Sequence, residues 1–311
     1  MSSTKAIKRR IKSATNISKI TKAMEMVAAS KMRHAQDMAL SSRPYTEKMR
    51  EILTEIIEIM KGEVSHFLLE SPALPKHDSP KNLVIVLSSD KGLSGGLNSN
   101  LYRGLEMWQK KLVNQHPTMK DHKFDFVAVG RKAKEYIMKT QRFLLAEFPS
   151  FGDKPSFSDT IPLYEVIYDS FEKGEYQQVH IVFMEFISTI VQRLSVKQLL
   201  PIQKDSIEEA FEEIMLEEKK MMNIKFKKDY VFEPNIETVF NQLLPKYIGL
   251  YLYHIVLESV ASEHSARMVA MKNAHDNATD IVDDLSLEYN QLRQQKITNE
   301  LLDSISARMV M

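Results

Sequence analysis

Along residues 261–292 the core-type positions return at alternating steps of three and four: Ala261, His264, Met268, Met271, His275, Ala278, Val282, Leu285, Tyr289 and Leu292. Such alternation averages 3.5 residues, the repeat that keeps one stripe of a helix turned toward a partner helix in a coiled coil. Near the other end Ile7, Ile11, Ala14, Ile17, Ile20, Met24 and Val27 also recur at steps of three and four, so that segment has a stripe of its own to bury. Neither the first 43 residues nor the last 62 contain glycine or proline, the two residues that most disfavour a helix interior. The pattern predicts two long helices that are natural partners. His264 and His275 fall on the seam, where a polar residue fixes register.

The pattern changes in the middle of the chain. Eight of the nine glycines lie between Gly62 and Gly174, and Pro72, Pro75 and Pro80 mark a linker. Asn82–Ser89 reads as a buried strand, followed by a turn and an amphipathic helix over about Leu97–His116. Phe124–Val129 reads as a second strand, Arg131–Thr140 and Ser158–Lys173 as helices, and Gln178–Phe186 as a third strand. Strands alternating with helices predict a small parallel sheet, so the fold class is an α/β insertion domain on a long antiparallel coiled coil formed by the N- and C-terminal helices. The divisions are 1–61 for the N-terminal coiled-coil helix, 62–202 for the α/β domain, 203–234 for a charged insertion and linker, and 235–311 for the C-terminal helix. Within the insertion, Ser206–Met222 reads as a helix opened by a capping box of Ser206 and Glu209, with Ile207, Phe211, Ile214 and Met222 on one face. Its other side is dense in glutamate and then lysine, as a solvated surface element would be.

Composition alters this picture only locally. Lys plus Arg number 42 against 41 Asp plus Glu, yet between Lys5 and Arg33 nine basic side chains face only Glu25. The stripe suits a solvated face, a nucleic acid or an acidic protein surface; Phe, Tyr and Trp are absent from the first 44 residues, which removes the stacking platform of single-strand binders. A basic, serine-containing start also fits a transit peptide, but the apolar stripe continues past Met24. No run of about 18 apolar residues is present to span a membrane, and with no cysteine the chain has no disulfide, thiolate ligand or thiol switch.

Candidate chemistry is sparse. Asp90–Asn98 (DKGLSGGLN) lies between a strand and a helix, where backbone N–H groups can receive phosphate. Its spacing matches neither the dinucleotide fingerprint nor the P-loop; the alternative is that Gly92, Gly95 and Gly96 let a tight turn pack closely. No H-E-x-x-H occurs, and His264 and His275 stand too far apart to share a metal. The 18 methionines suit adaptable packing. A nucleotide-binding α/β enzyme and a coiled-coil scaffold or nucleic-acid binder remain the alternative classes.

Four segments nevertheless carry a resemblance: IKSATNISKITKAMEMVAASKMRHAQ at Ile11–Gln36, SSDKGLSGGLNSNLY at Ser88–Tyr102, SEHSARMVAMKNAHDNA at Ser262–Ala278 and ITNELLDSI at Ile297–Ile305. In this order they resemble the gamma subunit of the F-type ATP synthase. The resemblance implies a central rotor shaft, one copy per complex, standing in a hexamer of three alpha and three beta subunits. Catalysis is then on beta, with no catalytic residue, cofactor or metal on this chain. The other implied partners are the epsilon subunit and the membrane c-ring, with no nucleic acid and no membrane span. The place implied is peripheral, on the cytoplasmic face of a bacterial membrane. By motif position, Met24 and Arg267 resemble residues near the contact with the acidic lever loop of beta, and Arg293, Gln294 and Thr298 resemble those that bond a second, catch-like loop of beta. Asp303 stands at the usual acidic position. The chain departs from the family pattern at Ser94, where Cys is usual, and at Ala307 and Arg308, where Gly-Ala is usual.

If the helices begin near Thr4 and Asn235 and the first ends near Lys61, level packing pairs residues whose numbers sum to roughly 295. Residues beyond about 291 are then left without a partner helix. That is on the order of 30 Å of single helix at 1.5 Å per residue, ending on Met309, Val310 and Met311.

Overall fold

The computed structural model describes residues 4–60, 66–72, 81–115, 123–202 and 230–309. Helix α1 runs Thr4–Ile59 and carries Pro44 inside it. The last helix, here α5, runs Ile236–Met309 and carries Pro245. Each proline removes one backbone donor, but the long helical turns on either side hold the element together. The expected helix Ser206–Met222 and the rest of 203–229 lie outside the described residues.

Five strands, β1 Lys81–Leu87, β2 Lys123–Val129, β3 Leu144–Phe148, β4 Gln178–Phe186 and β5 Gln192–Leu200, form one sheet in the order β3-β2-β1-β4-β5. The first four are parallel, but β5 runs antiparallel to β4. The expectation of a parallel sheet is corrected at this edge. The link Ile187–Val191 folds back on itself, with the N–H groups of Ile187 and Ser188 both donating to the Val191 carbonyl. A connection that short can join only antiparallel strands.

β1 is buried from Asn82 to Leu87, as a strand covered on both faces must be. Helix α2, Leu97–Gln115, packs on β4 and β5, and α3, Arg131–Lys139, packs on β2 and β3. Gly104 lets α2 approach closely, since a Cβ there would stand 2.4 Å from Leu194 Cδ2. Helix α4, Phe157–Glu172, is opened by the reciprocal bonds of Ser156 and Asp159. Its Leu163, Ile167 and Phe171 join a core with Leu83, Ile85 and Val127 of the sheet.

Residues Lys31–Gly92 and Gly96–Glu263 form one compact unit, and Met1–Ser30, Leu93–Gly95 and His264–Met311 another. In the first, the adjoining lengths of the two long helices enter the same core through Met49, Leu53 and Ile56 of α1 and Leu244, Ile248, Leu252 and Val256 of α5. Tyr230 holds the returning chain to α1 by bonding Lys48 Nζ and, at 3.1 Å, Glu51 Oε1.

Candidate functional site

In the second unit α1 and α5 pair through a seam that differs from its apolar outline. Strict alternation from Ile7, Ile11 and Ala14 leads to Ser18, Thr21, Glu25 and Ala28, and none of these seven is exposed. Ile17, Ile20 and Val27, expected on the seam, are instead 50%, 59% and 53% exposed. The expectation was wrong because Ala14 to Ile17 to Ile20 takes three steps of three in succession from Ile11, which carries the stripe around the helix. On α5 the outline holds: from His264 to Leu292 every expected seam position is buried or half-buried.

A polar layer fixes the register. His275 Nδ1 lies 2.9 Å from the Ser18 carbonyl oxygen and 3.0 Å from Ser18 Oγ, and Ser18 Oγ lies 3.2 Å from Thr279 Oγ1. A ring nitrogen this close to a carbonyl carries the proton and donates it. These pairs have numbers summing to 293 and 297, on either side of the expected 295. His264 is buried and accepts at Nδ1 from Arg267 Nη1 at 3.2 Å.

Met24 and Arg267 are both half-buried, and by this register they lie within about one helical turn of each other along the coil. Arg293, Gln294 and Thr298 occur where α5 has run past the start of α1 among the described residues, and all three are exposed. Gln294 and Thr298 share a face, with Thr298 Oγ1 donating to the Gln294 carbonyl at 3.0 Å, and Arg293 is turned about 100° away. Beyond them Ile297, Leu301, Leu302 and Ile305 are 48–59% exposed. Exposed apolar side chains therefore run along this single helix and along the Ile17–Ile20–Val27 ridge.

Asp90, at the head of the glycine turn, is tied to the neighbouring strand-to-helix junction of β2 and α3. Asp90 Oδ1 accepts the Arg131 backbone N–H at 2.7 Å, and Asp90 Oδ2 accepts Ser150 Oγ at 2.7 Å. The protein's own carboxylate thus occupies the N-terminus of α3. Burial pushes the Asp90 carboxyl up, but the bonds from Ser150 and Arg131 outweigh it and hold it below its usual range. Near the strand ends the space among Ser88, Val129, Phe151, Val256 and Val260 amounts to about 20 Å³, too little for a nucleotide. Of the three turn glycines only Gly95 has a left-handed backbone (φ +59), with Ala270 Cβ 3.9 Å from where its Cβ would stand; Gly92 has nothing near it.

Among the described residues no three His, Asp or Glu side chains are grouped to hold a metal ion, and no helix is long and apolar enough to cross a membrane. Ser18, Thr21 and Ala28, the side chains that set how closely the helices approach, carry little hydrophobicity. Their signal was the unbroken alternation of steps.

Residues 3–309 match the family model described as ATP synthase. The ATP synthase gamma chain of Dehalococcoides mccartyi (strain ATCC BAA-2266) is 41% identical over 308 residues, covering 98% of each chain. That of Roseiflexus castenholzii is 37% identical over 306 residues, covering 98% of this chain and 97% of the relative. Among solved structures, a chain of the Euglena gracilis mitochondrial ATP synthase (OSCP/F1/c-ring, rotational state 3) shares the fold with a TM-score of 0.60 at 18% identity, covering 99% of this chain and 94% of that one. A chain of the Tetrahymena thermophila mitochondrial ATP synthase central stalk and c-ring does so at 0.54 and 24%, covering 82% and 99%.

Proposed function

Since the chain belongs to the gamma-chain family of the ATP synthase, the central rotor stalk of that complex, we propose that its coil carries torque between a proton-driven c-ring and catalytic sites borne wholly by beta subunits. The carrying observation is the two runs of exposed apolar side chains on the coil, because contiguous exposed apolar surface marks a contact. The unpaired end of α5 stands within the alpha–beta hexamer, and the ridge of Ile17, Ile20 and Val27, beside Met24 and flanked by lysines, faces an acidic lever of beta. Charge of this sign steers the encounter and suits release at each step. Arg267 joins the lever contact. Arg293, with Gln294 and Thr298, meets the catch loop, where a guanidinium holds a carboxylate by two parallel bonds in one rotary position and lets go in the next. The α/β domain sits with epsilon on the ring, on the cytoplasmic face of the membrane.

Two cross-links test this in the assembled complex, using a chain that has no cysteine of its own. Ser18→Cys with Thr279→Cys joins side chains whose oxygens lie 3.2 Å apart; it links rotor to rotor and leaves ATP hydrolysis largely intact. Arg293→Cys linked to the catch loop of beta joins rotor to stator and stops multi-turnover hydrolysis until reductant restores it. Full hydrolysis with the second bond formed would overturn the reading of the tip as rigid rotor.

A further inference from the structure

A groove of about 620 Å³ opens on the α/β unit between the last turns of α2 and the start of β2. Phe124 and Phe126 form its apolar part, Gln109 and Asn114 bring side-chain amides, and Lys110 and Arg142 bring two cations. No described residue lining it is acidic. Arg142 is held against two rings: its guanidinium carbon lies 5.2 Å from the Phe126 ring centre and 5.6 Å from that of Tyr136. Tyr136 is fixed in turn by stacking on Tyr102 at 4.1 Å and by donating its hydroxyl to Glu106 Oε1 at 2.7 Å. Glu106 is thereby engaged with the tyrosine, and Arg142 Nη1 is buried with no hydrogen-bond partner.

A buried guanidinium nitrogen left without an acceptor is costly, and two rings that hold the group in place prepare it for an anionic acceptor. We infer that this groove binds a small organic anion, a flat apolar body bearing a phosphate or carboxylate. The anionic group bridges Arg142 and Lys110, the body lies against Phe124 and Phe126, and the amides of Gln109 and Asn114 meet its polar edge. Pockets of this size and mixed lining suit such ligands. All the residues of the site belong to the α/β unit, and it does not depend on the rotor reading.

Trp108, the only tryptophan, has its ring 6.2 Å from that of Phe124 and so reports occupancy by its fluorescence. The full chain is titrated near neutral pH with phenyl phosphate, inorganic phosphate and benzyl alcohol. Saturable binding of phenyl phosphate is expected, at least about tenfold tighter than of either control, because both charge and ring are needed. Arg142→Gln weakens it by about tenfold or more. Lys110→Gln, at an exposed position that folding does not need, weakens it severalfold. Repeating the titration on the assembled complex gives the same affinity. No saturable binding, equal binding of benzyl alcohol, or an affinity untouched by both substitutions would overturn the assignment. Binding by the free chain but not by the complex would overturn it as a small-molecule site, since another subunit would then own the groove.

Discussion

His180 on β4 is 6% exposed, its Nδ1 has no hydrogen-bond partner, and the Trp108 ring lies 5.0 Å away. Burial lowers its pKa from 6.5 to about 4, so the folded chain keeps the ring neutral while the unfolded chain protonates it as pH falls through 6.5. Stability is therefore full above that value and is lost progressively down to about 4, by an amount on the order of 3 kcal/mol. Melting of the chain between neutral pH and about pH 4.5 is expected to show this slope, and His180→Leu to flatten it; an equal slope in the variant would refute the assignment. At the seam, Ala28 is 2% exposed but Ile17 is 50% exposed. Ala28→Leu overpacks the coil and costs about 1–3 kcal/mol, whereas Ile17→Gln changes stability by less than about 0.5 kcal/mol. The reverse order in thermal melts would restore the apolar outline as the true seam.

Among the elements, the two rods and their register were legible because periodicity and the lack of glycine and proline over the first 43 and last 62 residues agree on them. Three strands were legible as apolar runs. β3 was not, being five residues long with no buried position. β5 escaped because its alternation of Leu194 and Val196 breaks at Gln198, near the irregularity in pairing by Val179 and His180. The seam of α1 was misplaced because isoleucine and valine outweigh alanine, serine and threonine in any reading by hydrophobicity, though small residues let two helices approach. The proposed contact residues Arg293, Gln294 and Thr298 were suggested only by the family likeness, since three exposed polar residues on a helix carry no signal of their own. Glycine offers a test at this scale. At Gly130, with φ +89, a Cβ would stand 2.2 Å from the Ser88 carbonyl oxygen, while at Gly95, φ +59, the nearest atom is 3.9 Å away. Gly130→Ala should cost about 2–4 kcal/mol and Gly95→Ala only about 1, read as midpoints of chemical unfolding. Similar losses at both would show that backbone strain alone decides.

For the whole molecule, the separation of folding residues from working residues is the point of test. Replacing Ile17, Ile20 and Val27 together by glutamine removes no described seam contact, so the melting temperature should stay within a few degrees. In the assembled complex the same chain should hydrolyse ATP severalfold more slowly, since the ridge no longer seats its partner. Unchanged turnover would remove the ridge from the coupling surface.

The place where α5 outruns α1 also has a mechanical meaning. Resistance of a rod to twisting rises steeply with its thickness, and near Leu292 a two-stranded rod gives way to one strand of 1.5 Å rise per residue. Behind that step, the small residues of the seam make the paired part slender as well. Under load from one side, angular strain must gather first in the single strand, then in the slender pair. A stalk graded in this way is stiffer in torsion along the pair than along the single strand beyond Leu292.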